Sequence, residues 1–327
     1  MRPTIGADGL TVAAWLGIVA CGGLNAVAIR LGNVELTPFW GAAVRFGLAA
    51  LILLALVAVR RPPLPRGRAR LGALLYGLTA FAGSYAALYW GLVEAPAPTA
   101  MVVIATVPLM TLVLAVSIGQ EGLTVRGVIG ALVALAGIVV VVWDQLSVDV
   151  PVASLVALFV GAGFIALSGV IAKRMPPGHP IAANALGMSV SAAILAGLAV
   201  AVGEPTVLPS EPSTWATVLY LAVVGSVGLF LLVLYVLARW SASATSYATL
   251  VMPLITIVGA VVLLGESVGP IFVAGSAIAL AGVYVGVAAG RGSSSAPRPA
   301  PAAAGTVPGG RQAVPVEVGE ECRPPGC

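Results

Sequence analysis

The sequence predicts an all-α integral membrane protein, with ten transmembrane helices arranged as two inverted five-helix repeats around a central cavity. Three observations carry this expectation. Of 327 residues, 60% are hydrophobic and only 9% charged, whereas a soluble domain carries about a quarter charged. The chain holds ten mostly apolar stretches of about 20 residues, the length at which a helix crosses hydrocarbon with its backbone amides paired internally. And "PLMTLVLAVSIGQE" at 108–121 returns as "PLITIVGAVVLLGE" at 253–266, 145 residues later.

The stretches follow one another with charges and interfacial aromatics at their ends. The first, near 11–30, carries Trp15 and stops at Arg30; the second, near 38–59, begins on Pro38 and stops at Arg60 and Arg61. The third, near 71–93, runs from Arg70 to Glu94, the fourth, near 97–118, contains Pro108 and ends before Glu121, and the fifth, near 125–143, runs to Trp143. The sixth, near 152–172, ends at Lys173 and Arg174, and the seventh spans about 181–202. The eighth, near 215–238, lies between Trp215 and Arg239, the ninth, near 244–264, contains Pro253 and ends before Glu266, and the tenth spans about 269–289. Trp40 and Trp240 fit the same belt of membrane-interface anchors.

These stretches divide the chain into a cytoplasmic N-terminus (1–10), a first five-helix repeat (11–147), a second (148–290) and a tail (291–327). The tail, "GSSSAPRPAPAAAGTVPGG" and beyond, is too poor in large apolar groups to fold and reads as disordered and cytoplasmic. The first stretch ends in "IVAC" at 18–21, similar to a lipobox, but the five-plus-five repeat needs this helix, so we read it as retained.

Basic residues set the orientation. The loop "RRPPLPRGRAR" holds five arginines and is placed in the cytoplasm; Arg126, Lys173, Arg174 and Arg239 then also fall inside and Arg30 outside, with both termini cytoplasmic in the cell membrane. The net charge of +4 does not indicate nucleic acid, because the arginines sit in short loops without an aromatic-rich basic surface. His179 is the single histidine, so no histidine-based zinc cluster is expected, and Cys21, Cys322 and Cys327 make no disulfide framework.

The repeat extends beyond the quoted segment. Pro108, Leu109, Thr111 and Glu121 match Pro253, Leu254, Thr256 and Glu266, and Gly130, Leu135, Ala136 and Gly137 match Gly275, Leu280, Ala281 and Gly282. Five spans separate the copies, so the second enters the membrane from the opposite side. Such inverted repeats mark secondary transporters, in which two opposed halves expose a midplane site alternately. Symmetry makes the inward-open and outward-open states close in energy.

The block "VPLMTLVLAVSIGQEGLTVRGVIGALVALAGIVVV" and its twin at 252–286 resemble the second half of the EamA repeat of the drug/metabolite transporter superfamily. "GGLNAVAIRL" and "PFWGAAVRFGLAALILL" are similar to that family's opening, with Asn25, Arg30, Pro38 and Arg45 in place. Gly22 departs from the pattern, standing where the family often has Trp. Nothing in "HPIAANALGMSVSA" matches Arg45 in the second copy. The resemblance implies a ten-helix carrier of small organic solutes such as amino acids, nucleobase-like metabolites or drugs, often an exporter.

Candidate residues follow from depth and spacing. Pro108 and Pro253 lie mid-membrane, each leaving unpaired the carbonyl four residues earlier, Ile104 or Thr249, so kinks or free carbonyls at these points suit helix breaking and gating. Arg45 sits roughly 10 Å deep at 1.5 Å per residue; it needs Glu94, Asn25 or an anionic group of the solute as partner, or else reaches back to the outer headgroups. Tyr85 and Tyr89 share a helix face beside Trp90, with Tyr235 at the equivalent place in the eighth span and Tyr247 opening the ninth; turned inward they offer apolar area and hydroxyls, turned outward interfacial anchors. Thr99, Ser168 and other small polar residues either meet the solute or bond their own helix. Glu121 and Glu266 read as loop-ordering groups.

No carboxylate falls near mid-membrane, so proton coupling is hard to place and uniport is preferred. Gly282, Gly286 and Gly290 at spacing four make a small-residue face for internal packing or a homodimer. No motif asks for a cofactor, and none carries catalysis. A channel would want a continuous polar lining or charge ring, which the sparse polar groups do not supply. The expected partners are a small-molecule solute and the lipid bilayer.

Overall fold

A computed structural model describes residues 9–119, 125–146, 150–176, 178–240, 242–246 and 248–293. Glu121, Tyr247 and the tail beyond Ser293, with its two cysteines, lie outside the described residues. Every regular element described is helical. We number them α1 (Gly9–Gly32), α2 (Pro38–Arg60), α3 (Gly67–Glu94), α4 (Ala97–Ser117), α5 (Val125–Leu146), α6 (Val152–Arg174), α7 (Pro180–Ala201) and α8 (Pro212–Arg239). The label α9 covers Ala242–Ser246, Ala248–Gly259 and Ala260–Leu264, and α10 is Pro270–Ser293.

Among the described residues seven helices are long and apolar enough to cross a membrane, joined by shorter apolar helices at 128–141, 251–264 and 270–282. The chain is an all-α membrane protein. Most large aliphatic side chains left exposed, such as Leu132, Val262 and Ile271, lie on the outer helix faces, as lipid contact requires. α3 starts before its apolar run, because Arg68 and Arg70 can continue a helix into the polar layer.

The sequence offset recurs in the helix geometry. α3 (Gly67–Glu94) and α8 (Pro212–Arg239) have equal lengths 145 positions apart, and α4 and α5 begin at Ala97 and Val125 where α9 and α10 begin at Ala242 and Pro270. Both α3 and α8 contain a π-helical turn at the matching place, Leu78–Gly83 and Val223–Gly228. A π turn widens the helix by one residue and redirects its carbonyls, a distortion often found at functional sites.

Packing obeys the same two-fold relation. α1 lies against α8 and α9, and its counterpart α6 against α3 and α4; α2 packs on its own counterpart α7, and α5 on α10. The last pair meets through the repeated glycines. Gly137 abuts the backbone of Ala279 and Gly275, and Gly282 abuts that of Ala134, so close that a Cβ on either would overlap main-chain atoms. Gly282 therefore faces α5 inside the chain, and the surroundings of Gly286 and Gly290 lie outside the description. Gly77 of α3 and Gly187 of α7 make a similar backbone-to-backbone crossing, tied by Ser191 donating to the Gly77 carbonyl at 2.9 Å.

α4 is broken at Ala105–Thr106, just before Pro108, which starts the lower segment as a second-position proline. Pro108 has no amide hydrogen for the Ile104 carbonyl, and Thr106 Oγ1 closes the break by donating to Val103 at 2.6 Å. Pro253 sits inside the helix Ala248–Gly259.

Candidate functional site

Between the halves lies a cavity of about 150 Å³, enough for a few waters or one small organic solute. Its walls come from α1, α3, α4, α6, α8 and α9 and are mainly aliphatic or aromatic. The few polar side chains include Asn25, Tyr76, Tyr85, Thr111, Ser168 and Thr249. Three of these spend their hydroxyl proton on their own helix: Thr111 on Val107 at 2.7 Å, Ser168 on Ile165 at 2.7 Å and Thr249 on Ser246 at 2.7 Å. They face a ligand as acceptors only. Ile104 and Thr249, whose carbonyls the two prolines leave without an amide partner, both line the cavity.

Beside the cavity sits a buried polar knot that links α1, α2 and α8. Arg45 is 0% exposed, so it does not reach back to the headgroups. Its Nε donates to Ser226 Oγ at 2.7 Å and its Nη2 to the Gly225 carbonyl at 2.6 Å. Asn25 Nδ2 donates to the same carbonyl at 3.3 Å. Gly225 and Ser226 belong to the π turn of α8, which supplies the available carbonyl. The guanidinium carbon lies 4.5 Å from the ring centre of Tyr85 and 5.1 Å from that of Phe46, where the rings' negative faces offset part of its lost hydration. Phe46 and Tyr85 join Phe81 and Phe230 in an aromatic cluster beside it, edge-to-face except for the tilted Phe46–Phe81 pair.

The structure brings Asn25, Tyr85 and Ser168 to the cavity wall, with Arg45 and Tyr89 buried behind Tyr85 and Asn25. Thr99 is buried in the first turn of α4 away from the lining. Trp90 is 43% exposed on the outer face, and Tyr235 stacks under Arg239 at 3.6 Å, also off the cavity. Gly22, in the place of the expected Trp, faces the Met252 side chain across the cavity wall. Gly225, Ser226 and Tyr76 were not singled out in the sequence. Glu94 is exposed and does not meet Arg45.

The two ends of the molecule differ. At the end bearing residues 33–37, 203–211 and 265–269, Arg30 Nε lies 3.0 Å from Glu266 Oε1, and Arg30 Nη1 donates to the Ala95 carbonyl at 2.8 Å. Partial burial pushes the Glu266 carboxyl up from its ordinary value, against the pull of Arg30. Asn33 donates to the Tyr89 carbonyl at 3.1 Å. Glu204 accepts from the Phe39 and Trp40 amides at 3.2 and 2.9 Å at the head of α2, and Glu35 accepts from the Ser210 hydroxyl at 2.6 Å and the Ser210 and Glu211 amides at the head of α8. Each half thus caps a helix of the other with a carboxylate, the favoured charge at a helix N-terminus. Hydrogen bonds from Ser210, Thr214 and Glu211 hold the Glu35 carboxyl down to about 2.

At the opposite end, beside the arginine-rich loop, a second cavity of about 290 Å³ opens between α3, α6, α7 and α8, lined by Lys173, Met175 and Pro176. Tyr76 and Leu237 line both cavities and form the partition between them.

A model of the EamA-like transporter family matches residues 10–143 and again 152–287. The chain belongs to this family. Among its relatives, a probable amino-acid metabolite efflux pump of Salmonella typhimurium is 26% identical over 83% of this chain and 92% of its own length. The inner membrane transporter YedA of Escherichia coli is 32% identical over 74% of this chain and 77% of its own. A probable terminal-alkyne amino-acid exporter of Streptantibioticus cattleyicolor is 25% identical over 84% and 90%. A crystal structure at 19% identity superposes with a TM-score of 0.64, covering 86% of this chain and 99% of that one, so the EamA-like chain shares its fold. Membership makes this a membrane transporter with two EamA repeats.

Proposed function

We propose that this EamA-like protein exports a small, largely apolar organic metabolite by alternating access, with amino acids the first class to test and nucleobase-like solutes the second. The observation that carries the reading is the difference between the two ends of a pseudo-symmetric molecule. One end is clasped by Arg30–Glu266 and the reciprocal Glu35 and Glu204 caps; the other continues into a vestibule behind a thin partition. With the arginine-rich loop and both termini in the cytoplasm, the vestibule opens inward, the state that loads an exporter. The apolar walls suit an organic solute and offer an inorganic ion little to replace its hydration.

No carboxylate lines the cavity among the described residues, which supports movement down the solute's own gradient. The two efflux relatives support amino acids as the first solutes to try. The test is counterflow in proteoliposomes. Preloading unlabelled solute should accelerate entry of labelled solute several-fold, and equal entry with and without preloading would mean a pore.

A further inference from the structure

Two unused polar atoms of opposite kind flank one carbonyl. Arg45 Nη2 and Asn25 Nδ2 both donate to Gly225, so the guanidinium and the carboxamide lie side by side. Each retains one enclosed atom without a hydrogen-bond partner: Arg45 Nη1, a charged donor, and Asn25 Oδ1, an acceptor. The Tyr89 hydroxyl lies beside the guanidinium, close enough to feel its charge and approach it as an acceptor, without reaching full hydrogen-bond geometry. Among the described residues no carboxylate lies within ion-pair distance of Arg45. An unpaired buried charge is expensive, and more so in a membrane. Tying α2 to α8 takes only Nε and Nη2; the remaining nitrogen is surplus to that role.

We propose that Arg45 Nη1 and Asn25 Oδ1 form a headgroup subsite for an α-amino acid zwitterion, Arg45 taking the carboxylate and Asn25 the ammonium. This rests on the carrier reading above and narrows its solute to amino acids with apolar side chains. The side chain lies in the main cavity, among Ile104, Phe230 and Met252. Asn25 already lines that cavity, while Arg45 is screened from it by the Tyr85 ring. Headgroup binding turns this ring aside and exchanges part of the cation–π contact for a charge-assisted hydrogen bond, the stronger interaction. A nucleobase lacks the carboxylate, and a cationic dye meets a like charge.

The test uses the full chain in lipid nanodiscs and matched probes: L-leucine and L-phenylalanine, their amides, which lack the carboxylate, and their N-acetyl forms, which lack the ammonium. Melting temperature against concentration gives the apparent affinity. The free amino acids are expected to bind roughly tenfold or more tightly than either blocked form, because a buried polar group left unpaired penalises the analogue. Arg45→Lys should lose most of the preference for acid over amide, since one compact ammonium cannot hold Gly225 and Ser226 and also reach a carboxylate. Asn25→Ala should lose the preference over the N-acetyl form and keep the other. A variant with only a structural defect would melt lower without changing either ratio.

Should a variant fail to fold, the probe series on the unaltered chain decides. Equal affinity for acid and amide there overturns the subsite, as does failure of every amino acid to bind while another solute class shows counterflow; both leave the carrier reading standing. Binding of amino acids without counterflow of any solute keeps the subsite and overturns the carrier.

Discussion

Gly225 is a position where one added methyl group has a definite cost. A Cβ built there would collide with Asn25 Oδ1 and lie 3.2 Å from Arg45 Nη2, so Gly225→Ala must displace the carboxamide or the π turn. We expect a loss of about 1–3 kcal/mol, the usual penalty for overpacking, read as a lower melting temperature in detergent. An unchanged melting temperature would mean that the knot does not bear on stability. The charged half of this knot was legible in the sequence, because an arginine and an asparagine inside apolar runs stand out from their neighbours. Gly225 and Ser226 were not: small residues are common in membrane helices, and the carbonyl is made available by the π turn, which no local residue pattern announces. Spacing put Tyr85, Tyr89 and Trp90 together on α3, but which face turns inward depends on where α2 and α8 pack. The structure turns Trp90 outward and Tyr85 to the cavity.

At the scale of helices, the register of 145 residues accounts for most of what was readable. It paired α4 with α9 through Pro108 and Pro253 and α5 with α10 through Gly137 and Gly282, two glycines that the structure places at a backbone crossing. Gly137→Val should push α5 off α10 by the width of a side chain that has only main-chain atoms to meet. We expect it to cost more than Gly225→Ala, with loss of folded protein on size-exclusion chromatography as the measurement, whereas Gly163→Val, where a Cβ meets nothing within 4 Å, should be tolerated. The carboxylate caps escaped the sequence because each acts on a helix more than 160 residues away. Glu35 gives their pH signature. Its carboxyl is held at about 2 in the folded protein against an ordinary 4.5, so the charged form is favoured by folding. Its contribution is present above 4.5 and fades as pH falls from there toward about 2. Glu35→Gln should therefore lower the melting temperature at pH 6 and converge on the unaltered protein as pH drops through that window. A difference that persists unchanged at pH 3 and below would assign the effect to something other than the charge.

Taken as a whole, the molecule has near-equal halves and unequal ends, and that inequality makes a directional prediction. Leu92 and Leu237 occupy equivalent places in the two repeats. Leu92 lies under the clasp, with its carbonyl accepting from Arg30 at 3.4 Å, while Leu237 stands in the partition to the vestibule. In a carrier the two exchange roles: the state after solute release has the Leu92 end open and the Leu237 end sealed. A cysteine at Thr249, on the cavity wall, reports which end is open. In a chain with Cys21, Cys322 and Cys327 replaced by serine, Thr249→Cys should react with a membrane-impermeant thiol reagent added from the side of the arginine-rich loop, and roughly tenfold more slowly from the other side, a ratio that corresponds to about 1.4 kcal/mol of bias toward this state. Glu266→Gln removes the charge that Arg30 meets at 3.0 Å, weakening the clasp without touching the cavity. It should raise the rate from the clasped side and lower it from the other, because one equilibrium governs both. A pore would label equally from both sides in either variant, and a rigid fold with one mouth would gain nothing from Glu266→Gln; only opposite changes in the two rates are consistent with halves that rock.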